Sequence, residues 1–186
     1  MIDNALTFIK KYVSEELNSR LGAPVETKID SISKEGSSDS LYITLINIEE
    51  EKFYKNQNHY RKENVYDSSY KIVNPEIKLN LYILFSAQKT DYTEALKQIS
   101  HIITIFQGKN VFEKDDFPKE ITNLESLIIE LYSLSFEQNN SLWQTMGSKI
   151  VPSVLYKVKL LSIQDNKKLG DVGEVRGIGF DILRKS

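Results

Sequence analysis

The run LYITLINI, residues 41–48, places large apolar side chains on both faces of any strand it forms. Successive side chains of a strand point to opposite faces, so this run cannot leave one side in water without exposing a row of hydrophobes. It calls for a central position in a sheet with cover on each side.

Other segments supply its neighbours. Ile77, Leu79, Leu81, Ile83 and Phe85 face one way, and Lys78, Asn80 and Tyr82 the other. A strand at 127–134 carries Leu127, Ile129 and Leu131 on one face. Further on, Val154, Tyr156, Val158 and Leu160 alternate with Leu155, Lys157, Lys159 and Leu161. Two lysines in the middle of one face turn it toward solvent or a partner. A strand over 25–33 and a short edge strand near Val111 complete the set.

Two long helices stand out. Ile2, Leu6, Ile9, Val13, Leu17 and Leu21 follow spacings of three and four residues, which keeps one apolar stripe. Asp3 suits the positive end of that helix dipole, and Gly22 with Pro24 stops it. The second helix is N-capped by Thr90 or Asp91 and ends at Gly108. Its stripe reads Tyr92, Leu96, Ile99, Ile103 and Phe106, widened by Ala95 and Ile102. A short polar helix over 137–146 ends at Gly147 and holds the only tryptophan, Trp143. Pro152 then sits at the start of a strand, where its missing N–H costs little. Trp143 and Pro152 are the predicted structural anchors.

The strands come partly in succession, not in strict alternation with helices. This predicts an α+β, two-layer domain over 1–164, with a mostly antiparallel sheet and the two long helices on one face. Residues 50–75 show neither a strand nor a helix period and hold Tyr54, Tyr60, Tyr66 and Tyr70. A loop of this length is functional or disordered as a rule. It reads as a projecting loop or loose hairpin, with a poorly ordered insertion as the alternative. Residues 165–186 hold four of the eight glycines, which argues for an arm, its end forming a brief strand.

The search for chemistry is empty. Without cysteine there is no thiolate catalysis, thiolate metal ligation or disulfide, and a reducing compartment fits. The amino-terminal residues lack the apolar run and cleavage site of a signal peptide, and no run of apolar residues spans a membrane. The reading is a protein of the cytoplasm with no membrane insertion. A formal net charge of −2 argues against broad nucleic-acid binding. His101 lies beside a core position of the second helix, and His59 has no acidic partner at ligand spacing. The glutamates at 49–51 and the pair Asp115 and Asp116 sit where carboxylates are solvated. The glycines of GDVGEVRGIGF do not open a helix, as a phosphate loop must. No catalytic, cofactor or metal residue is assigned. Tyrosines suit a protein interface, so Tyr54, Tyr60, Tyr66 and Tyr70, with Lys157, Lys159, Arg176 and Phe180, are the candidate partner contacts.

Several fragments together resemble one family. They are the first helix with Ile2, Ala5 and Leu6, the segments LYITLINIEEEKFYKN and PEIKLNLYILFSAQKTDYTEAL, and a third set that matches best. In that set Leu142, Trp143, Lys149, Pro152, Ser153, Val154, Tyr156, Lys157 and Val158 follow the pattern Leu-Trp, Lys, Pro-Ser-Val, Tyr-x-Val. The chain is similar, over most of 1–164, to the N-terminal domain of the cap or tail-terminator proteins of phage-tail-like contractile injection systems. The resemblance implies a structural protein forming a ring, a homo-hexamer, on the distal end of inner tube and sheath. It would stop polymerisation and join the two, assembling in the cytoplasm as part of the particle, with no cofactor and no catalysis. The Gly-rich arm would pair with a sheath subunit or adjacent protomer, and the 52–74 loop would contact tube or sheath. The competing reading is a non-ring adaptor or peptide-binding module of a secretion machine.

Overall fold

The computed structural model describes residues 1–31, 39–51, 60–64, 67–72, 78–121, 124–162 and 170–172, with the backbone alone described for 60–64, 67–72, 161–162 and 170–172. The chain divides into two compact units, one of Met1–Lys52 with Ile77–Ile163 and one of Phe53–Glu76 with Gln164–Ser186.

The first unit is built on a six-stranded sheet. Its strands are β1 (Thr27–Ile29), β2 (Ser40–Glu50), β5 (Lys78–Gln88), β6 (Val111–Glu113), β7 (Leu124–Leu131) and β8 (Ser153–Ser162), in spatial order β1-β2-β5-β8-β7-β6. Only the β1–β2 pair is parallel. The fold class is α+β, as predicted. β2 lies inside the sheet, paired on both sides, as its doubly apolar sequence requires.

Helix α1 (Ile2–Leu21) buries Ala5, Leu6, Phe8, Ile9, Val13 and Leu17, the face drawn by its apolar spacing. It ends at Gly22 in the left-handed conformation, φ 66°, whose N–H donates to the Asn18 carbonyl. Helix α2 (Tyr92–Gly108) starts at Asp91, whose side chain accepts the Thr93 N–H at 2.8 Å. Its buried face is Ala95, Gln98, Ile99, Ile102, Ile105 and Phe106. Tyr92, Leu96 and Ile103, assigned to the core stripe from sequence, are exposed instead. The apolar arc of α2 is wider than the strip the sheet covers, and the helix settles on its Ile102–Ile105 flank.

Both long helices cover the same face of the sheet. Leu41, Ile43, Leu81, Ile83, Phe85, Tyr156 and Val158 form one core with them. Phe85, Phe106 and Tyr156 pack edge-on or tilted at 4.9–5.7 Å, joining α2 to β5 and β8. Leu127 and Ile129 of β7 are buried, whereas Leu131, the last residue of the strand, is exposed. Helix α3 (Phe136–Met146) covers the opposite face, so the two layers of the sequence reading gain a partial third.

The second unit contains β3 (Tyr60–Asn64), β4 (Asp67–Ile72) and β9 (Gly170–Val172), an antiparallel sheet in the order β3-β4-β9. β3 and β4 pair within the segment that the sequence reads as a projecting loop or loose hairpin. β9 pairs with β4 of the same chain, and the brief strand expected at the end of the arm falls outside the described residues.

Gly22 and Gly147 both have positive φ with open space around the position of a Cβ. Replacing either by alanine therefore strains the backbone alone, and each variant should lose about 1 kcal/mol in denaturant unfolding. Burial pushes the Tyr156 phenol up from its ordinary 10 to about 12. The folded state thus favours the neutral phenol: the contribution is full below pH 10 and is lost as pH rises toward 12. Tyr156→Phe should flatten the fall of stability across this range; an unchanged slope would contradict it.

Candidate interaction surface

The second face of the sheet begins with Tyr42, Leu84 and Leu155, which point away from α1 and α2 and form a separate core with Trp143. Trp143 is 2% exposed and is the only buried residue of α3. The helix is held in place at both ends. Ser135 accepts the Gln138 N–H at 3.2 Å, and Gln138 accepts the Ser135 N–H at 2.9 Å, closing a capping box. Gly147 ends the helix in the left-handed conformation. The chain then turns through Pro152, whose carbonyl accepts the Ala87 N–H at 3.0 Å as β8 begins.

A groove of about 520 Å³ opens between α3 and the end of β2. Its origin is a bulge. The β2–β5 register runs in step to Leu45↔Ile83 and resumes at Asn47↔Tyr82, leaving Ile46 as the extra residue. Residues paired in register point to one face. After the bulge Asn47 and Glu49 stand opposite Tyr82 and Asn80, and so turn to the α3 side. Without it they would face α1 and α2. Ile46 and Leu155 contribute apolar lining, while Leu134 and Leu142 line the helix side.

The polar groups of the groove are connected. The Tyr82 hydroxyl donates to Glu49 Oε2 at 3.0 Å, and Asn47 Nδ2 donates to Glu49 Oε1 at 3.2 Å. Burial and the hydrogen bond to Glu49 push the Tyr82 phenol up to about 12. Tyr82 packs edge-on against Tyr132, 5.1 Å between ring centres. Across the groove Ser135 donates to Glu137 Oε2 at 2.8 Å. The Glu137 carboxyl lies below its usual range through its own backbone N–H and this hydroxyl. Phe136, at the first turn of α3, is 82% exposed. Glu49 and Glu137 both line the groove, and among the described residues no lysine or arginine does.

The sequence-based contact residues distribute unevenly. Lys157 and Lys159 lie on the Leu155 face of β8, both half-buried. Lys159 Nζ binds Glu130 Oε1 of β7 at 2.7 Å, and Lys157 stands in register with Tyr82 and Glu130. Tyr60 and Tyr70 are placed by backbone in β3 and β4, with Tyr70 opposite Lys62 and Val172. Tyr54, Tyr66, His59, Arg176 and Phe180 lie outside the described residues. The groove itself was missed. Its signal is the slip of alternation in LYITLINIEE, where Leu41, Ile43 and Leu45 give way to Ile46 and Ile48.

A second cleft, about 420 Å³, lies at the outer edge of the α1 layer beside Tyr12, Phe112 and Pro118. Lys109 sits 5.1 Å over the Phe112 ring and pairs with Asp116 there. Among the described residues no cluster of three His, Cys, Asp or Glu is placed to hold a metal ion. No described helix is long and apolar enough to cross a membrane.

Trp143→Ala should cost about 3–5 kcal/mol in denaturant unfolding, the usual loss for a buried aromatic residue. A loss below about 1 kcal/mol would mean that α3 does not depend on this anchor.

Comparison with known proteins follows the same line. A family model described as the Pvc16 N-terminal domain matches residues 5–175. No curated protein sequence matches. Two cryo-EM structures share the fold. One is the PVC sheath/tube terminator, in its extended state, of an extracellular contractile injection system. It has a TM-score of 0.69 and 13% identity, covering 100% of this chain and 64% of that one. The other is the tube-terminating cap of the anti-feeding prophage, with a TM-score of 0.61 and 12% identity, covering 98% and 61%. The chain thus spans less than two thirds of the length of either structure.

Proposed function

The chain belongs to the Pvc16 N-terminal domain family, and from that premise we propose that it is a structural terminator of a contractile injection system. In this reading copies of the chain close into a ring, a hexamer, at the distal end of the inner tube and sheath. The ring ends polymerisation and joins the two polymers. It acts by contact and not by catalysis, as a component of the injection particle assembled in the cytoplasm.

The observation that carries the reading is the family match over residues 5–175, supported by a fold shared with two tube-terminating proteins. A ring needs two different patches on each copy, one meeting the other on its neighbour. The α3 groove supplies one such patch. The tyrosine-rich 52–74 segment and the residues beyond β9 are the proposed contacts to tube, sheath or neighbour, including Tyr54, Tyr60, Tyr66, Tyr70, Arg176 and Phe180. The 1–164 domain is the body of the ring, and 165–186 its arm.

The second reading is an adaptor that binds peptides of a secretion machine without forming a ring. Its support is the apolar groove with its acidic rim. Native mass separates the two. Mixed with tube protein, the chain should form a closed ring on tube ends, and serine at Tyr54, Tyr60, Tyr66 and Tyr70 together should remove it from the tube. A chain that stays monomeric with tube and sheath present contradicts the terminator.

A further inference from the structure

We propose that the groove between α3 and the β2 bulge of one copy seats residues 176–185 of a neighbouring copy. The inference rests on the ring reading and gives that ring a specific contact between its subunits.

The groove has an apolar interior and an acidic rim. Ile46, Leu142 and Leu155 line it, while Glu49 and Glu137 stand on opposite sides. Each carboxylate is held by hydroxyl or amide donors, and among the described residues neither has an ion-pair partner. Lys157, two register positions from Leu155 on the same face, is not among the lining residues, and Lys159 is held by Glu130. Two glutamates at the edge of an apolar trough favour a segment with cations flanking apolar side chains.

The stretch RGIGFDILRK, residues 176–185, has this composition. Arg176, Arg184 and Lys185 stand against the single carboxylate Asp181, around Ile178, Phe180, Ile182 and Leu183. Its apolar residues suit the trough, and its cations suit Glu49 and Glu137. Burying apolar side chains supplies the affinity, and the charge pairs set orientation and suppress wrong partners. A segment of one copy in the groove of the next is a heterologous contact, the kind that closes a ring.

The chain has no cysteine, so introduced pairs report contact cleanly. Full-length chain carrying Thr145→Cys in the groove is mixed with full-length chain carrying Asp181→Cys and mildly oxidised. Circular dichroism checks that each variant folds. The expected product is a disulfide-linked heterodimer, absent when Lys11→Cys on α1 replaces Thr145→Cys. Adding Glu137→Lys to the groove copy should lower the yield by about 3-fold, the effect of one exposed ion pair, and Arg184→Glu on the other copy should restore it. No heterodimer above the Lys11→Cys control overturns the proposal. So does a doubly substituted chain that closes only on itself, which would place the segment in its own groove. So does a link formed only to an added sheath protein. Rings that form without the link refute this contact and leave the terminator reading intact. A link without capping of tubes refutes the terminator and leaves the contact intact.

Discussion

The structure depends on strands β2, β5 and β8 being apolar on both faces. Leu41, Ile43, Leu81, Ile83, Phe85 and Val158 face one way, and Tyr42, Leu84 and Leu155 face the other. Neither face can be left to water, because a contiguous patch of that size would drive association. The long helices α1 and α2 cover the first. The second is covered only at one end, by an eleven-residue helix that contributes a single large buried side chain. Trp143 suits that task, since one indole removes more surface from water than any aliphatic residue. Where α3 stops, the uncovered remainder of this face becomes the groove.

The bulge at Ile46 belongs to the same constraint. It reverses the facing of the last residues of β2, so Asn47 and Glu49 leave the helix-covered side and reach the open one. Turned outward, Glu49 accepts from Tyr82 and Asn47 and gives the groove its acidic edge. One inserted residue thus marks the open face chemically.

Much of this was legible in the residues. The spacing of Ile9, Val13 and Leu17 defines the buried face of α1, because one face alone is apolar, and the alternation of Leu79, Leu81, Ile83 and Phe85 defines the helix-covered face of β5. Helix α2 misled for the opposite reason. Its apolar residues encircle more than half of its surface, so periodicity could not decide between Leu96 and Ile105, and the shape of the sheet did. The place of α3 depends on contacts distant in sequence, between Trp143 and Tyr42 or Leu84, which local spacing does not encode. The pairing of Lys159 with Glu130 is likewise a matter of strand register. The tyrosines beyond β2 were conspicuous by composition alone, whereas the groove was signalled only by the slip between Leu45 and Ile46.

A terminator needs a rigid body and contact surfaces, and the chain supplies a sheet covered on one face and partly on the other, with an acidic groove at its edge. We propose that this chain ends a growing tube. The most direct test is the length of tubes polymerised from purified tube protein, measured by electron microscopy with and without the chain. The account predicts shorter tubes whose lengths fall as the chain is added, each with ring-shaped density at one end. Tubes of unchanged length with bare ends would contradict it.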